Sequence, residues 1–315
     1  MLGAKDLHGI MAMMPGFTTD DGGQITAKQT VDTARLEAGV NRMIRDGANI
    51  ITTTGSFGEA SNLLANEFEI LARTTVETVA KRVPVIIGCV GQHSRDVVEK
   101  AEVAQKAGAD GIICAVPYYF PSSVDNAVNF YRDVAALFPK MGVLIYHNPT
   151  LHRITIPVSA FEEIVKIPNV VGMKDSHRTP LAFMQLMDII EGKISVFVEQ
   201  SMYYPYCELG AVGFWSIDIW MGPEPLLYLK RLVDRGDIAA VKKLLKELAM
   251  HRSYSQDLRW REMAHKIGIR FAGYVDPGPL RPPFVKVPDE VTQQLKRRAE
   301  HWRSLCNKYA PAAVT

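Results

Sequence analysis

Short apolar runs alternate with amphipathic stretches from the start of the chain to about residue 237. The apolar runs are "GIMAMMPGF" from Gly9, "NIITTTG" from Asn49, "VPVIIGCVG" from Val83, "DGIICAVP" from Asp110, "GVLIYHNP" from Gly142, "NVVGMKD" from Asn169, "KISVFVEQ" from Lys193 and "AVGFWSI" from Ala211. They are near-continuous in apolar residues rather than alternating with polar ones, the pattern of strands buried on both faces. Between them the spacing predicts helices over Asn66–Arg82, Ser94–Ala107, Ser123–Phe138 and Thr179–Ile190, several opened by Ser, Thr or Asn caps.

Eight strands, each followed by a helix, predict a (β/α)8 TIM barrel over residues 1–237. An open doubly wound sheet is the other arrangement for such a pattern, but no G-x-G-x-x-G follows any of the runs to make a dinucleotide site. After Asp237 the pattern becomes helical. "AAVKKLLKELAMH", Leu258–Phe271 and Pro288–Tyr309 are the candidate helices, with the Pro-rich loop "DPGPLRPPF" at Asp276–Phe284 before the last. Residues 238–315 are expected to pack on the barrel as a helical extension.

Composition narrows the class. The 315 residues are 47% hydrophobic, enough to bury one large core. Lys plus Arg number 36 against 34 acidic residues, a net charge of +2 that predicts no nucleic-acid partner. The basic cluster "LKRRAEHWR" at Leu295–Arg303 reads as the solvated face of a helix. Cys89, Cys114, Cys207 and Cys306 match no zinc spacing, and the histidines show no paired-ligand spacing, so no metal is expected. Free thiols inside apolar runs suit a reducing cytoplasm. No signal peptide and no membrane span is read from the N-terminal residues.

Chemistry in such a barrel gathers at the C-terminal ends of the strands. Lys174 ends the sixth run, where a long cation is out of place, and Tyr146 ends the fifth. "TTTGSFGEA" closes the second with Ser56, Phe57 and Glu59. A lysine among apolar walls loses solvation of its ammonium and becomes a free amine nucleophile that attacks carbonyls. The competing reading is that Lys174 pairs with adjacent Asp175, that Tyr146 is a core aromatic, and that the glycines around Ser56 mark an ordinary turn.

"GSFGE" at Gly55–Glu59, "PYYFP" at Pro117–Pro121, "YHNP" at Tyr146–Pro149 and "GMKD" at Gly172–Asp175 resemble, in order and spacing, the motifs of the dihydrodipicolinate synthase and N-acetylneuraminate lyase superfamily. The resemblance implies a pyruvate-type class I aldolase with no metal or organic cofactor. Lys174 would form the imine and Tyr146 would move protons at the reacting carbon. Ser56 and Tyr119 would complete a hydroxyl relay, Tyr119 reaching in from a neighbouring subunit of a homotetramer. The turn at Ser56 and Phe57 would hold the pyruvate carboxylate, since tight-turn N–H groups form anion-binding concavities.

Departures from the motifs narrow the substrate. Leu151 stands where the synthases carry an arginine for a second carboxylate, followed by His152 and Arg153. Phe57 replaces a hydroxyl residue, and Trp215 ends the eighth run. With Tyr118, Phe120 and Tyr203 these form a candidate aromatic wall, against the reading that those three are core or interface rings. Such a wall, and "GPLRPP" at Gly278–Pro283, are similar to the hydratase-aldolases that cleave ortho-substituted benzylidenepyruvates to an aromatic aldehyde and pyruvate. Arg259, Arg261 and Arg270 precede that loop. Arg261 is the candidate partner for an ortho-carboxylate, which a planar guanidinium suits better than an ortho-hydroxyl; the alternative is that all three are solvated surface charges. A sugar-acid lyase and a non-catalytic binding barrel remain the other readings.

Overall fold

A computed structural model describes residues 1–250, 260 and 263–310. Each of the eight apolar runs contains one strand: β1 (Gly9–Met13), β2 (Ile50–Thr52), β3 (Val85–Cys89), β4 (Gly111–Cys114), β5 (Gly142–Tyr146), β6 (Val170–Lys174), β7 (Ser195–Glu199) and β8 (Gly213–Ser216). They pair in sequence order as parallel neighbours, and β8 returns to β1, closing a TIM barrel. The continuous apolar character of the runs now has its cause. Side chains such as Met11, Ile86, Ile113, Leu144 and Phe197 form the barrel interior. Others, such as Ile10, Ile51, Ile87, Ile112 and Val143, pack outward under the helices, so neither face meets water.

The helices are α1 (Thr33–Arg45), α2 (Ala65–Val79), α3 (Ser94–Ala107), α4 (Val124–Leu137), α5 (Pro149–His152), α6 (Phe161–Ile164), α7 (Pro180–Ile190), α8 (Tyr203–Tyr206), α9 (Glu224–Asp234), α10 (Ile238–Ala249), α11 (His265–Ala272) and α12 (Asp289–Tyr309). Side-chain caps at Asp32, Ser123 and Thr179 accept backbone N–H groups and start α1, α4 and α7. Among the described residues no helix is long and apolar enough to cross a membrane.

The C-terminal helices are tied to the barrel by buried polar groups. Trp302 Nε1 donates to Gly222 O at 2.9 Å. Arg298 is 3% exposed and donates to Asp218, just beyond β8. This corrects the expectation of a wholly solvated basic face on α12: Arg297 and Arg303 are exposed, but Arg298 turns inward to a carboxylate.

Candidate active site

Tyr146 and Lys174 are register partners on β5 and β6, which brings their side chains together at the C-terminal rim. Lys174 is 4% exposed, with Nζ 3.6 Å from the centroid of the Trp215 ring and 4.4 Å from that of Tyr146. Among the described residues its Nζ has no hydrogen-bond or ion-pair partner. The pairing with Asp175 weighed from the sequence does not form. Asp175 Oδ1 instead accepts from Arg178 at 2.9 Å and meets His147 and His177 at 3.0 Å each. The amine is thus packed against aromatic faces, without a carboxylate to hold it.

Ser56 Oγ lies 3.1 Å from the Tyr146 hydroxyl. Its loop is tightly wound: Thr54 and Glu59 both adopt left-handed backbone, at φ 46° and 58°. A side chain at Gly58 would put its Cβ 2.9 Å from Thr54 N, so "GSFGE" needs that glycine. Glu59 is fully buried behind the loop. Its Oε2 accepts from Lys266 Nζ at 2.7 Å and Arg281 Nη1 at 2.8 Å, and its Oε1 accepts the Arg281 backbone N–H at 2.8 Å. Burial pulls the Lys266 ammonium down to about 8 although Glu59 opposes the shift. The N–H groups of Ser56 and Phe57 donate to no described residue.

A second buried network closes the fifth and sixth strands. His147 Nε2 accepts the Ile156 N–H at 3.0 Å, so the ring proton sits on Nδ1 and is donated to Asp175. Burial holds His147 below the ordinary imidazole range, and it stays neutral. Burial alone would raise the Asp175 carboxyl, but hydrogen bonds from His147 and His177, with Arg178 beside it, hold it well below the usual range. His147, Asp175 and His177 offer ligand atoms within 4.8 Å of one another, a grouping the spacing along the chain did not announce. The donors do not suit a cation. Arg178 already occupies the carboxylate oxygen, and the His147 nitrogen that faces it carries a proton.

Around Lys174 opens a cavity of about 440 Å3, bordered by Ser56, Phe57, Tyr146, His177 and Trp215. Trp215 Nε1 donates to Asp175 O at 3.2 Å, fixing the indole. The remaining rings do not join this wall. Tyr203 is buried against Phe214 at 5.0 Å between ring centroids. Tyr119 and Phe120 are exposed and packed edge to face, and Tyr118 lines, with Leu151, a second cavity that shares Ser56. The wall therefore reduces to Trp215 and Phe57. Tyr119, 61% exposed, is not brought to Lys174 within this chain, and Arg153 donates to Tyr119 O at 2.9 Å instead of facing the cavity. Arg270 is a surface charge 3.4 Å from Asp276, whereas Arg259 and Arg261 lie outside the described residues. Asn148, Asp218 and His265 also border the cavity and were not singled out in the sequence. Only the position of Asn148 inside "YHNP" hinted at it.

Residues 23–302 match the model of the dihydrodipicolinate synthetase family. The chain belongs to this family. It is an enzyme, a lyase. The chain is 28% identical to a trans-o-hydroxybenzylidenepyruvate hydratase-aldolase of Pseudomonas putida, over 98% of its length and 97% of that protein's. A trans-2'-carboxybenzalpyruvate hydratase-aldolase of Nocardioides sp. (strain KP7) is 24% identical, over 97% of this chain and 96% of its own. Among solved structures, that of PhdJ bound to a substrate intermediate superposes with a TM-score of 0.92 at 26% identity, covering 98% of this chain and 99% of that one.

Proposed function

We propose that this family member is a Schiff-base hydratase-aldolase that hydrates and cleaves an ortho-substituted benzylidenepyruvate to an aromatic aldehyde and pyruvate, in the breakdown of polycyclic aromatics. The observation that carries the reading is the Lys174 amine, buried between the Trp215 and Tyr146 rings with no hydrogen-bond or ion-pair partner among the described residues. An amine so placed adds to the substrate ketone, loses water and gives a conjugated iminium. Water then adds at the benzylic carbon, the iminium taking up the electron pair. After protonation of the enamine, loss of the new hydroxyl's proton breaks the carbon–carbon bond and the iminium again accepts the electrons. Protonation of the resulting enamine gives the pyruvate imine, and its hydrolysis frees Lys174. No metal or organic cofactor enters the scheme.

Tyr146, bonded to Ser56, moves the proton at the carbon next to the imine. The N–H groups of Ser56 and Phe57, which donate to no described residue, suit the pyruvate carboxylate. Trp215 and Phe57 offer flat apolar surface to the aryl ring. The exposed Tyr119 and Phe120 pair fits a cytoplasmic homotetramer in which Tyr119 serves a neighbour's site. The ortho group is read as a carboxylate on the strength of Arg261. A selective loss of about tenfold in kcat/KM on the o-carboxy compound in Arg261→Ala supports this; equal losses on the o-hydroxy compound reject it.

The imine itself is tested by borohydride reduction with pyruvate. Added mass at Lys174 is expected, and labelling elsewhere, or none, removes the mechanism.

A further inference from the structure

The scheme above requires a base at the benzylic carbon, two carbons beyond the imine. Tyr146 does not serve there, because its hydroxyl is held by Ser56 beside the imine end. From the geometry of the cavity, and resting on the hydratase-aldolase reading, we infer that His177, oriented by Asp175, is that base for both the addition of water and the cleavage.

His177 follows Lys174 by three residues and borders the same cavity. Its Nδ1 is 3.0 Å from Asp175 Oδ1. Asp175 is ionised and only accepts, so Nδ1 of the neutral ring bears the proton and Nε2 bears the lone pair. Nε2 has no partner among the described residues. The His147 ring packs edge-on against it at 4.3 Å between centroids, and the side chain is 28% exposed. With Nδ1 held inward on a buried carboxylate, the edge left to border the cavity carries Nε2. Trp215 is anchored to the same residue through Asp175 O. One residue thereby aligns the ring surface that receives the aryl group and the base that acts at the carbon attached to it.

Other candidates along the cavity are less suited. Glu199 Oε2 already accepts from the Ser201 N–H at 3.0 Å, and His265 is paired through Nδ1 with the Asp218 carboxylate at 3.7 Å.

In the forward direction His177 Nε2 takes a proton from water as the oxygen bonds to the benzylic carbon, while the alkene electrons move toward the iminium nitrogen. The imidazolium then loses its proton to solvent. In the second step Nε2 takes the hydroxyl proton, the carbonyl of the aldehyde forms, and the bonding pair of the broken carbon–carbon bond passes to the iminium. Atoms and electrons balance without a further reactant.

The test uses the full-length protein and His177→Asn, whose amide N–H can replace the Nδ1 donor to Asp175 but offers no base. Three rates are compared: borohydride trapping of pyruvate on Lys174, deuterium exchange into the pyruvate methyl group, and loss of the conjugated chromophore of o-hydroxy- and o-carboxybenzylidenepyruvate. The variant is expected to keep trapping and exchange within about threefold and to lose chromophore bleaching by about 10²-fold or more, the span of general base catalysis. Bleaching reduced by less than about tenfold, or an equal loss in all three rates, overturns the assignment. A wild-type protein that traps no pyruvate instead fails the imine reading on which it rests.

Discussion

Glu59→Gln probes how Lys266 and Arg281 hold the candidate active-site loop. Glu59 is fully buried and its two oxygens take three donors, two of them from the cations Lys266 and Arg281. The amide keeps the shape but removes the negative charge, and its NH2 must face one of those cations. Breaking a buried ion pair by removing one partner costs about 3–5 kcal/mol, because the remaining charges stay desolvated. At roughly 2 °C per kcal/mol, the low end for large domains, the melting temperature should fall by about 6–10 °C. The loop carrying Ser56 and Phe57 should loosen with it, and misplacement on the order of 1 Å costs up to about 10²-fold in rate. Thermal unfolding by circular dichroism and imine trapping at 25 °C read the two effects. Adding Lys266→Met removes one stranded cation, so the double variant should be more stable than the two separate losses summed. A Glu59→Gln melting temperature within about 2 °C of wild type, or strictly additive losses, would refute the clamp.

Three further outcomes follow from the site. Tyr146→Phe should lower kcat by roughly 10² or more while leaving the fold intact, and unchanged turnover would remove it from proton transfer. Trp215→Ala should weaken binding of benzylidenepyruvate relative to small aldol acceptors by about 1–3 kcal/mol; an unchanged preference in competition assays contradicts the aromatic wall. His152 is buried edge-on against Tyr146, and burial first, then Lys174, lowers its imidazole from 6.5 to about 3. The unfolded chain takes up a proton below pH 6.5 that the folded ring refuses until about 3, so stability present at neutral pH is lost as pH falls through that window. The loss is on the order of 5 kcal/mol, and denaturant titrations of His152→Phe should show a flatter acid limb than wild type.

Local signals carried the architecture. A strand covered on both sides has no choice but to be apolar throughout, and its helix partner must repeat every 3.6 residues, so the eight units and their order are written in the chain. Lys174 stood out for the same reason, as a cation ending such a run. Ser56 and Tyr146 stood out likewise at the ends of such runs, and short motifs, which record loop shape and chemistry within a few residues, then matched them.

What lies far apart in sequence was settled by the closed sheet. Tyr146 meets Lys174 because of the β5–β6 register, and Asp175 turns away from its neighbouring lysine because His147 reaches it from the end of β5. Glu59 is joined to Lys266 across 207 residues, and Asp218 to Arg298 across 80. No periodicity or motif records such pairs, since a buried charge requires a partner nearby in space and places no demand on where along the chain that partner sits. Composition likewise does not say which aromatics face the cavity. Phe57 and Trp215 do so, while Tyr203 is core and Phe120 faces outward, because strand and loop geometry, not residue type, sets the direction of each ring. By itself the sequence determined which segments form the barrel and which lysine ends a buried strand; tertiary structure decided the company that lysine keeps.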